Sequence, residues 1–437
     1  MRIAVIGTGH VGLVTGVALA SLGHRVAATD ADRGKMIDLQ HGKAPFFEPG
    51  LDALLTRTLR EGRIRFSAGV AEAMDGAELV FVCVGRPPVG NGDRSLGAVE
   101  DAVRAIARHA SDGLVIVVKS TVPPGTTNRV KRVVASERPE LRFDACASPE
   151  FLREGHALED TLHPARLVIG SDSSRAIHRL KEVYAEVLEG DTALIETDAP
   201  SAELAKLASN AFLALKVSYA NALARLSERV GAHAHDVTAI MGADERIGMR
   251  FLEAGAGYGG YCLPKDVATL ERLSARAGYD FGMLREVDRV NREALEGVYA
   301  KVEEAVWNIE GKTVALLGLA FKAGTDDVRA APAIALAERL LMEGARVIGF
   351  DPLAGEQARR VLPALEVASD PYAAAEGAHC ALIATEWPEF RDLDLMRLGS
   401  AMATRTLVDG RNMIDPGRAR AAGFDHFAIG MRHTDPS

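Results

Sequence analysis

The chain has 437 residues, 48% hydrophobic and 25% charged, with a formal net charge of −9 at pH 7. This length supports a large core and about three domains at ~150 residues each, and the composition excludes global disorder and collagen-like repeats. No apolar run approaches ~18 residues and no Lys/Arg block stands out, so neither a membrane nor a nucleic acid is an expected partner.

The opening run Met1–Gly7 reads as a buried parallel strand, because it is short, β-branched and stopped by glycine. A helix is predicted from Val11 to about Leu22, closed by Gly23, and a second strand from His24 to Thr29. Further strands are predicted at Leu79–Val84, Leu114–Val118, Phe143–Ala147, Leu167–Ile169 and Ala193–Glu196, with helical stretches between several of them. Strands alternating with helices indicate a parallel, doubly wound α/β sheet. Ser201 to Val230 then runs without Gly or Pro and predicts one long helix. At 1.5 Å per residue it spans about 45 Å, the length of a connector or a dimer spine. Helical material continues to about Glu310. Lys312–Gly318 then repeats the opening pattern of strand, Gly, helix, Gly344, strand and Asp351, with extra residues before the helix. The expected architecture is two Rossmann-like domains, 1–197 and 309–437, joined by the long helix and a helical connector, 198–308.

Gly7-Thr8-Gly9-His10-Val11-Gly12 fits G-x-G-x-x-G between a strand and a helix, with Asp30 ending the next strand. Gly7 makes the tight turn, Gly9 admits a pyrophosphate and Gly12 lets helix and strand pack closely. The helix N-terminus favours phosphate. Asp30 accepts ribose hydroxyls and repels a 2′-phosphate, so NAD is expected as the cofactor.

Four cysteines, Cys83, Cys146, Cys262 and Cys380, form no C-x-x-C pair, which argues against a metal site or a disulfide framework. The first apolar run ends at Gly7, too short for a secretory segment, so a cytoplasmic location is expected. Cys262 sits in Gly255-Ala-Gly-Tyr-Gly-Gly-Tyr-Cys-Leu-Pro-Lys-Asp266, where glycines admit a ligand and Lys265 and Asp266 supply charge beside the thiol. Lys206 and Asn210 lie one turn apart on the long helix, with Asn221 near the same face; a buried lysine there can stabilise an alkoxide. Glu150 and Glu154 follow a strand end and suit acid–base work. Thr121 sits in another strand-end loop, where open α/β sheets place ligand contacts.

These segments, with Arg246-Ile-Gly248, Gly318–Arg329, Thr385-Glu-Trp-Pro-Glu-Phe-Arg391 and Asp409-Gly-Arg-Asn412, resemble the nucleotide-sugar 6-dehydrogenases over nearly the whole chain. The resemblance implies an NAD-dependent four-electron oxidation of UDP-glucose at C6 to UDP-glucuronate. The same reaction on GDP-mannose or UDP-N-acetylmannosamine is the alternative, and the motif around Trp387 favours UDP-glucose. Cys262 is similar to the family nucleophile, passing through a thiohemiacetal and a thioester. Lys206, Asn210 and Asp266 resemble the group holding the C6 oxygen and a water, and Glu150 and Glu154 the carboxylates beside that water. Thr121 matches a residue holding this water or the cofactor. For the cofactor, the resemblance adds Val11, Lys35, Lys265, Glu154 and Arg329. For the UDP-sugar it adds Phe151, Leu152, Arg153, Phe251, Leu252, Glu253, Ala254, Gly255, Gly259, Phe321, Lys322 and Arg411. Arg246 matches an arginine that reaches the partner's substrate, implying a homodimer. Arg86 replaces the family's usual threonine and adds a cation expected near the pyrophosphate.

Overall fold

A computed structural model of the chain describes residues 1–86 and 95–432. Pro87 and the last residues of the expected third domain, 433–437, lie outside them. The chain divides into two compact units, Met1–Ser209 and Asn210–Ser437.

The first unit holds an eight-stranded sheet: β1 (Arg2–Ile6), β2 (Arg25–Thr29), β3 (Ile64–Phe66), β4 (Leu79–Val82), β5 (Leu114–Val118), β6 (Phe143–Ala147), β7 (Arg166–Gly170) and β8 (Ala193–Thr197), in the order β3-β2-β1-β4-β5-β6-β7-β8. The order reverses direction at β1/β4, which opens a crevice at the carboxyl ends of these strands. The first strands are nearly all buried, as expected for a sheet covered on both faces. Leu13, Val14 and Val17 of helix His10–Ser21 join the core on one face, and Val99, Val103 and Ile106 of helix Gly97–His109 pack on the other.

Two differences from expectation appear here. Strand β3 is only three residues long, too short to show periodicity. The sheet is not wholly parallel: β7 meets β6 through one antiparallel pair, Ala147 with Gly170, while β7 and β8 run parallel. The connection 148–165 is mostly irregular and contains only the short helix Ala157–Leu162, which packs on helix His10–Ser21. Strand and helix alternation reports crossovers, and this segment is not one.

The long helix covers Ala199–Val230, 32 residues, starting in the first unit and ending in the second. Pro200 and Ala199 extend it beyond the expected start; proline is tolerated in a first turn because its missing N–H has no partner there. Ala199 and Ala202 pack with Ala147, Val168 and Phe151.

The second unit carries helices Ala234–Gly242, Cys262–Arg276 and Gly282–Val306, then a six-stranded parallel sheet. Its strands are β9 (Thr313–Leu317), β10 (Arg346–Phe350), β11 (Glu366–Val367), β12 (Cys380–Ile383), β13 (Thr406–Asp409) and β14 (Asp425–Ala428), in the order β11-β10-β9-β12-β13-β14. The central part of this order repeats that of the first sheet, so the internal repeat is a repeat of topology. Both sheets are Rossmann-like.

Candidate active site

In the first unit the glycine turn is built as a cradle. Gly7 has φ +96°, a conformation that favours glycine, and a Cβ there would lie 2.7 Å from Cys83 O. A Cβ on Gly12 would overlap Gly7 O, whereas one on Gly9 would meet nothing within 4 Å. Open space above Gly9, with helix N–H groups beside it, fits a pyrophosphate. Val11 lies half-buried in the first helical turn.

Asp30 at the end of β2 accepts from Thr8 N at 2.7 Å, Lys35 Nζ at 2.8 Å and Asp32 N at 3.1 Å. Burial alone would raise its pKa; the hydrogen bonds from Lys35, Thr8 and Asp32 outweigh it and hold the carboxyl below its ordinary value. The turn and Asp30 therefore fit an adenosine ribose and a pyrophosphate, with Lys35 neutralising part of the charge.

Arg86 is buried, and its Nε donates to Thr121 O at 2.8 Å. The arginine thus ties the segment after β4 to the threonine loop. The next turn of that loop is held by Glu203 of the long helix, which accepts from Gly125 N at 2.6 Å, Thr127 N at 2.7 Å and Thr127 Oγ1 at 2.6 Å.

Glu150 and Lys206 pair at 3.1 Å with side chains 8% and 4% exposed. The other Glu150 oxygen accepts from Leu152 N at 2.7 Å. The Phe151 ring faces Lys206 Nζ at 5.3 Å and the Arg166 guanidinium at 3.8 Å. Glu154 is buried, 8% exposed, in the same loop. Arg153 Nε and Nη2 donate to Asp160 at 2.9 and 2.7 Å.

In the second unit Cys262 opens the helix Cys262–Arg276. A helix N-terminus favours a thiolate. Cys262 is half-buried, whereas Cys83, Cys146 and Cys380 are buried and burial pushes each thiol up to about 12. Asp266, one turn on, is wholly buried; Asn210 Nδ2 donates to its Oδ2 at 2.7 Å and Lys265 Nζ engages Oδ1. Lys265 thus pairs with the neighbouring carboxylate and lies 5.4 Å from the Tyr261 ring centroid.

The glycine-rich loop before Cys262 is clamped by two asparagines. Asn221 Oδ1, on the long helix, accepts from Gly255 N at 2.8 Å. Asn291, on helix Gly282–Val306, accepts from Tyr258 N at 2.7 Å and donates to Tyr258 O at 3.1 Å. Phe251 takes a positive φ of 65°, Leu252 is buried, Ala254 is half-buried and Glu253 is exposed. Gly410 O and Ala330 O fill the space a side chain would need at Gly255 and Gly259. The loop therefore lies against the turn carrying Arg411, whose Nε donates to Ala384 O at 3.0 Å and which pairs with Glu386 at 3.3 Å. Arg411 Nη2 reaches Phe321 O at 3.4 Å, and Lys322 Nζ lies 5.9 Å from the Phe321 ring centroid.

Arg329 binds Asp327 and lies 4.5 Å from the ring centroid of Tyr261, the residue before Cys262. Arg246 is on the surface, its side chain 88% exposed and paired with Asp244. Among the described residues, no group of His, Cys, Asp and Glu is disposed to hold a metal.

Sequence reading overlooked Glu48, Glu203 and Asn291. Glu203 had a signal, since it lies three residues before Lys206 on the helix and so shares its face. Glu48 and Asn291 act on backbone groups 107 and 33 residues away, for which spacing carries no signal.

Residues 1–188 match the NAD-binding domain of the UDP-glucose/GDP-mannose dehydrogenase family, residues 200–293 its central domain and residues 315–416 its UDP-binding domain. The chain is similar to a UDP-glucose 6-dehydrogenase of Rhizobium meliloti (strain 1021), 42% identical over 98% of this chain and 99% of that one. It is likewise similar to the UDP-glucose 6-dehydrogenase YwqF of Bacillus subtilis (strain 168), 38% identical over 100% and 99%. The solved UDP-glucose dehydrogenase from the archaeon Pyrobaculum islandicum superposes with a TM-score of 0.91 at 38% identity, covering 98% of this chain and 97% of that one.

Proposed function

Because the chain belongs to the UDP-glucose/GDP-mannose dehydrogenase family, we propose that it oxidises UDP-glucose at C6 to UDP-glucuronate with two NAD and one water. The observation that carries this reading is Cys262 at a helix N-terminus, behind a glycine loop and one turn from a buried Asp266 held by Asn210. A two-electron alcohol dehydrogenase needs no such thiol.

Bound NAD supplies the hydride acceptor for both oxidations. Gly7, Gly9, Val11, Gly12, Asp30 and Lys35 hold its adenosine and pyrophosphate side, and Arg86 and Thr121 form the adjoining wall. Lys206, kept in place by Glu150, is the cation that stabilises the C6 alkoxide as the hydroxyl proton passes through water to the Asp266–Asn210 pair. An aldehyde carbon is electron-poor and releases no hydride readily. The Cys262 thiolate adds to it, forming a C–S bond, and the thiohemiacetal carbon again carries a transferable hydride. The resulting thioester is cleaved by water, activated by Glu150 or Glu154, which breaks the C–S bond and returns the thiol. Phe321, Lys322, Arg411, the 251–259 loop and the Phe151–Leu152–Arg153 segment hold the UDP-sugar.

Homodimer assembly is part of the same proposal. Phe212, Tyr219 and Leu226 recur every seven residues on the long helix, 60%, 51% and 54% exposed. An apolar stripe at that spacing supports helix pairing with a second copy, and exposed Arg246 is then available to the partner's substrate. The nucleophilic thiol suits a reducing compartment, and we place the protein in the cytoplasm. No described helix is long and apolar enough to cross a membrane.

The test is a screen of UDP-glucose, UDP-galactose, UDP-N-acetylglucosamine, UDP-N-acetylmannosamine and GDP-mannose with NAD, counting NADH per sugar. UDP-glucose is expected to give the highest kcat/KM and two NADH per product. A higher kcat/KM with another sugar, or one NADH per sugar, overturns the reading.

A further inference from the structure

Glu48 lies in the first unit outside the groups given roles above, and its side chain is fully buried. Its Oε1 accepts from Ala157 N at 2.6 Å; its Oε2 accepts from Gly155 N at 2.8 Å and contacts His10 Nε2 at 3.2 Å. Gly155 immediately follows Glu154 in an irregular stretch, and Ala157, two residues on, opens the short helix Ala157–Leu162. His10 stands between Gly9 and Gly12 at the start of the nucleotide helix, and its ring stacks on Phe46 at 3.9 Å and 17°. One carboxylate oxygen is therefore shared by the cofactor turn and the loop carrying Glu150 and Glu154. A buried carboxylate bonded to backbone N–H groups is a strong, directional restraint, because water does not compete for either partner.

We propose that Glu48 is a positioning residue: through His10 it links filling of the nucleotide cradle to placement of the 150–157 loop, and so of Glu154. This rests on the dehydrogenase reading above. A shift of the His10 ring when the turn fills changes the contact on Oε2, and Gly155 N, on the same atom, registers it.

The test compares the wild type with Glu48→Gln and His10→Phe by amide hydrogen exchange with and without NAD, and by steady-state kinetics. Glu48→Gln keeps the size but replaces one acceptor by an NH2 group facing a donor. His10→Phe keeps the stack on Phe46 and loses only the contact to Glu48, so it serves if Glu48→Gln folds poorly. In the wild type NAD is expected to slow exchange both at residues 7–13 and at 154–160; in either variant it slows only 7–13. Glu48→Gln should lower kcat about tenfold or more, with KM for UDP-glucose changed less than about threefold. NAD protection of 154–160 that persists in both variants, or a lower Tm with kcat per folded site unchanged, overturns the proposal and leaves Glu48 a structural brace. If the wild type oxidises no nucleotide sugar, the dehydrogenase reading fails, and the exchange pattern still decides the link.

Discussion

The Asn210 carboxamide donates to Asp266 across 2.7 Å, and Lys265 engages the other carboxylate oxygen, so a wholly buried acid is bound from both sides one turn beyond Cys262. Removing one donor leaves a buried acceptor unsatisfied. Asn210→Ala should cost about 1–3 kcal/mol in urea unfolding and lower kcat about ten- to a hundredfold. Asn210→Asp places a second carboxylate against Asp266 and should lose more than the alanine variant. Equal stability of Asn210→Asp and wild type would show that the pair is not formed.

Cys262→Ala removes the covalent route and should reduce UDP-glucuronate formation by about three orders of magnitude or more. At most one NADH should appear per sugar, with an aldehyde or its hydrate trappable. Cys83→Ala, Cys146→Ala and Cys380→Ala should keep two NADH per product, since these thiols are buried and burial pushes each up to about 12. Glucuronate made by Cys262→Ala near the wild-type rate would replace the thioester with direct oxidation of the hydrated aldehyde.

Gly9 and Gly12 separate cofactor contact from packing. Gly9 has φ −69°, which alanine adopts, and open space at its Cβ. Gly9→Ala should change stability by about 1 kcal/mol or less, yet weaken NAD binding about tenfold or more in calorimetric titration. In Gly12→Ala the methyl overlaps Gly7 O, so stability should also fall, by about 1–3 kcal/mol.

Asp30 supplies a pH test. Its folded pKa lies below the ordinary 3.8, so the stabilisation from its ionised form is present above that value and lost as pH falls through the folded value. NAD affinity should therefore show no titration from Asp30 between about pH 5 and 8. A break near pH 6 that disappears in Asp30→Ala would contradict this. The same variant frees Lys35 for a 2′-phosphate and should raise the NADP-to-NAD ratio of kcat/KM about tenfold or more.

For assembly, Phe212→Glu combined with Tyr219→Glu should halve the mass seen by light scattering. Mixing Arg246→Ala with Cys262→Ala should recover some activity by subunit exchange. A monomeric wild type with full activity would remove the dimer.

Much of this was legible in the sequence because it is local. The strand–glycine–helix order at 7–12, the glycine-free run 201–230 and the cluster 255–266 each depend on neighbours within a few turns. What escaped was non-local. The antiparallel junction of Ala147 with Gly170 depends on how 148–165 packs. The pairing of Lys265 with Asp266, two residues read from the sequence as charge beside the thiol, depends on how the helix Cys262–Arg276 is buried. The clamps by Asn221 and Asn291 join backbone groups 34 and 33 residues away in the chain.

Asp351 occupies in the second unit the place of Asp30 in the first, but five donors already crowd it: Leu319 N, Ala320 N and Trp387 Nε1 on Oδ2, and Leu353 N and Ala354 N on Oδ1. A carboxylate offers about four lone-pair sites, so no ribose hydroxyl finds a place there. Asp351 is thus engaged in bracing the turns that follow β9 and β10 in its own unit. On the mechanism proposed above, two equivalents of NAD per sugar take turns in the cradle at Gly7–Gly12, the spent nucleotide leaving before the fresh one enters. On the same proposed mechanism the half-oxidised sugar stays tethered through that exchange by its sulfur bond to Cys262, which makes the thiol a mooring as well as a reagent.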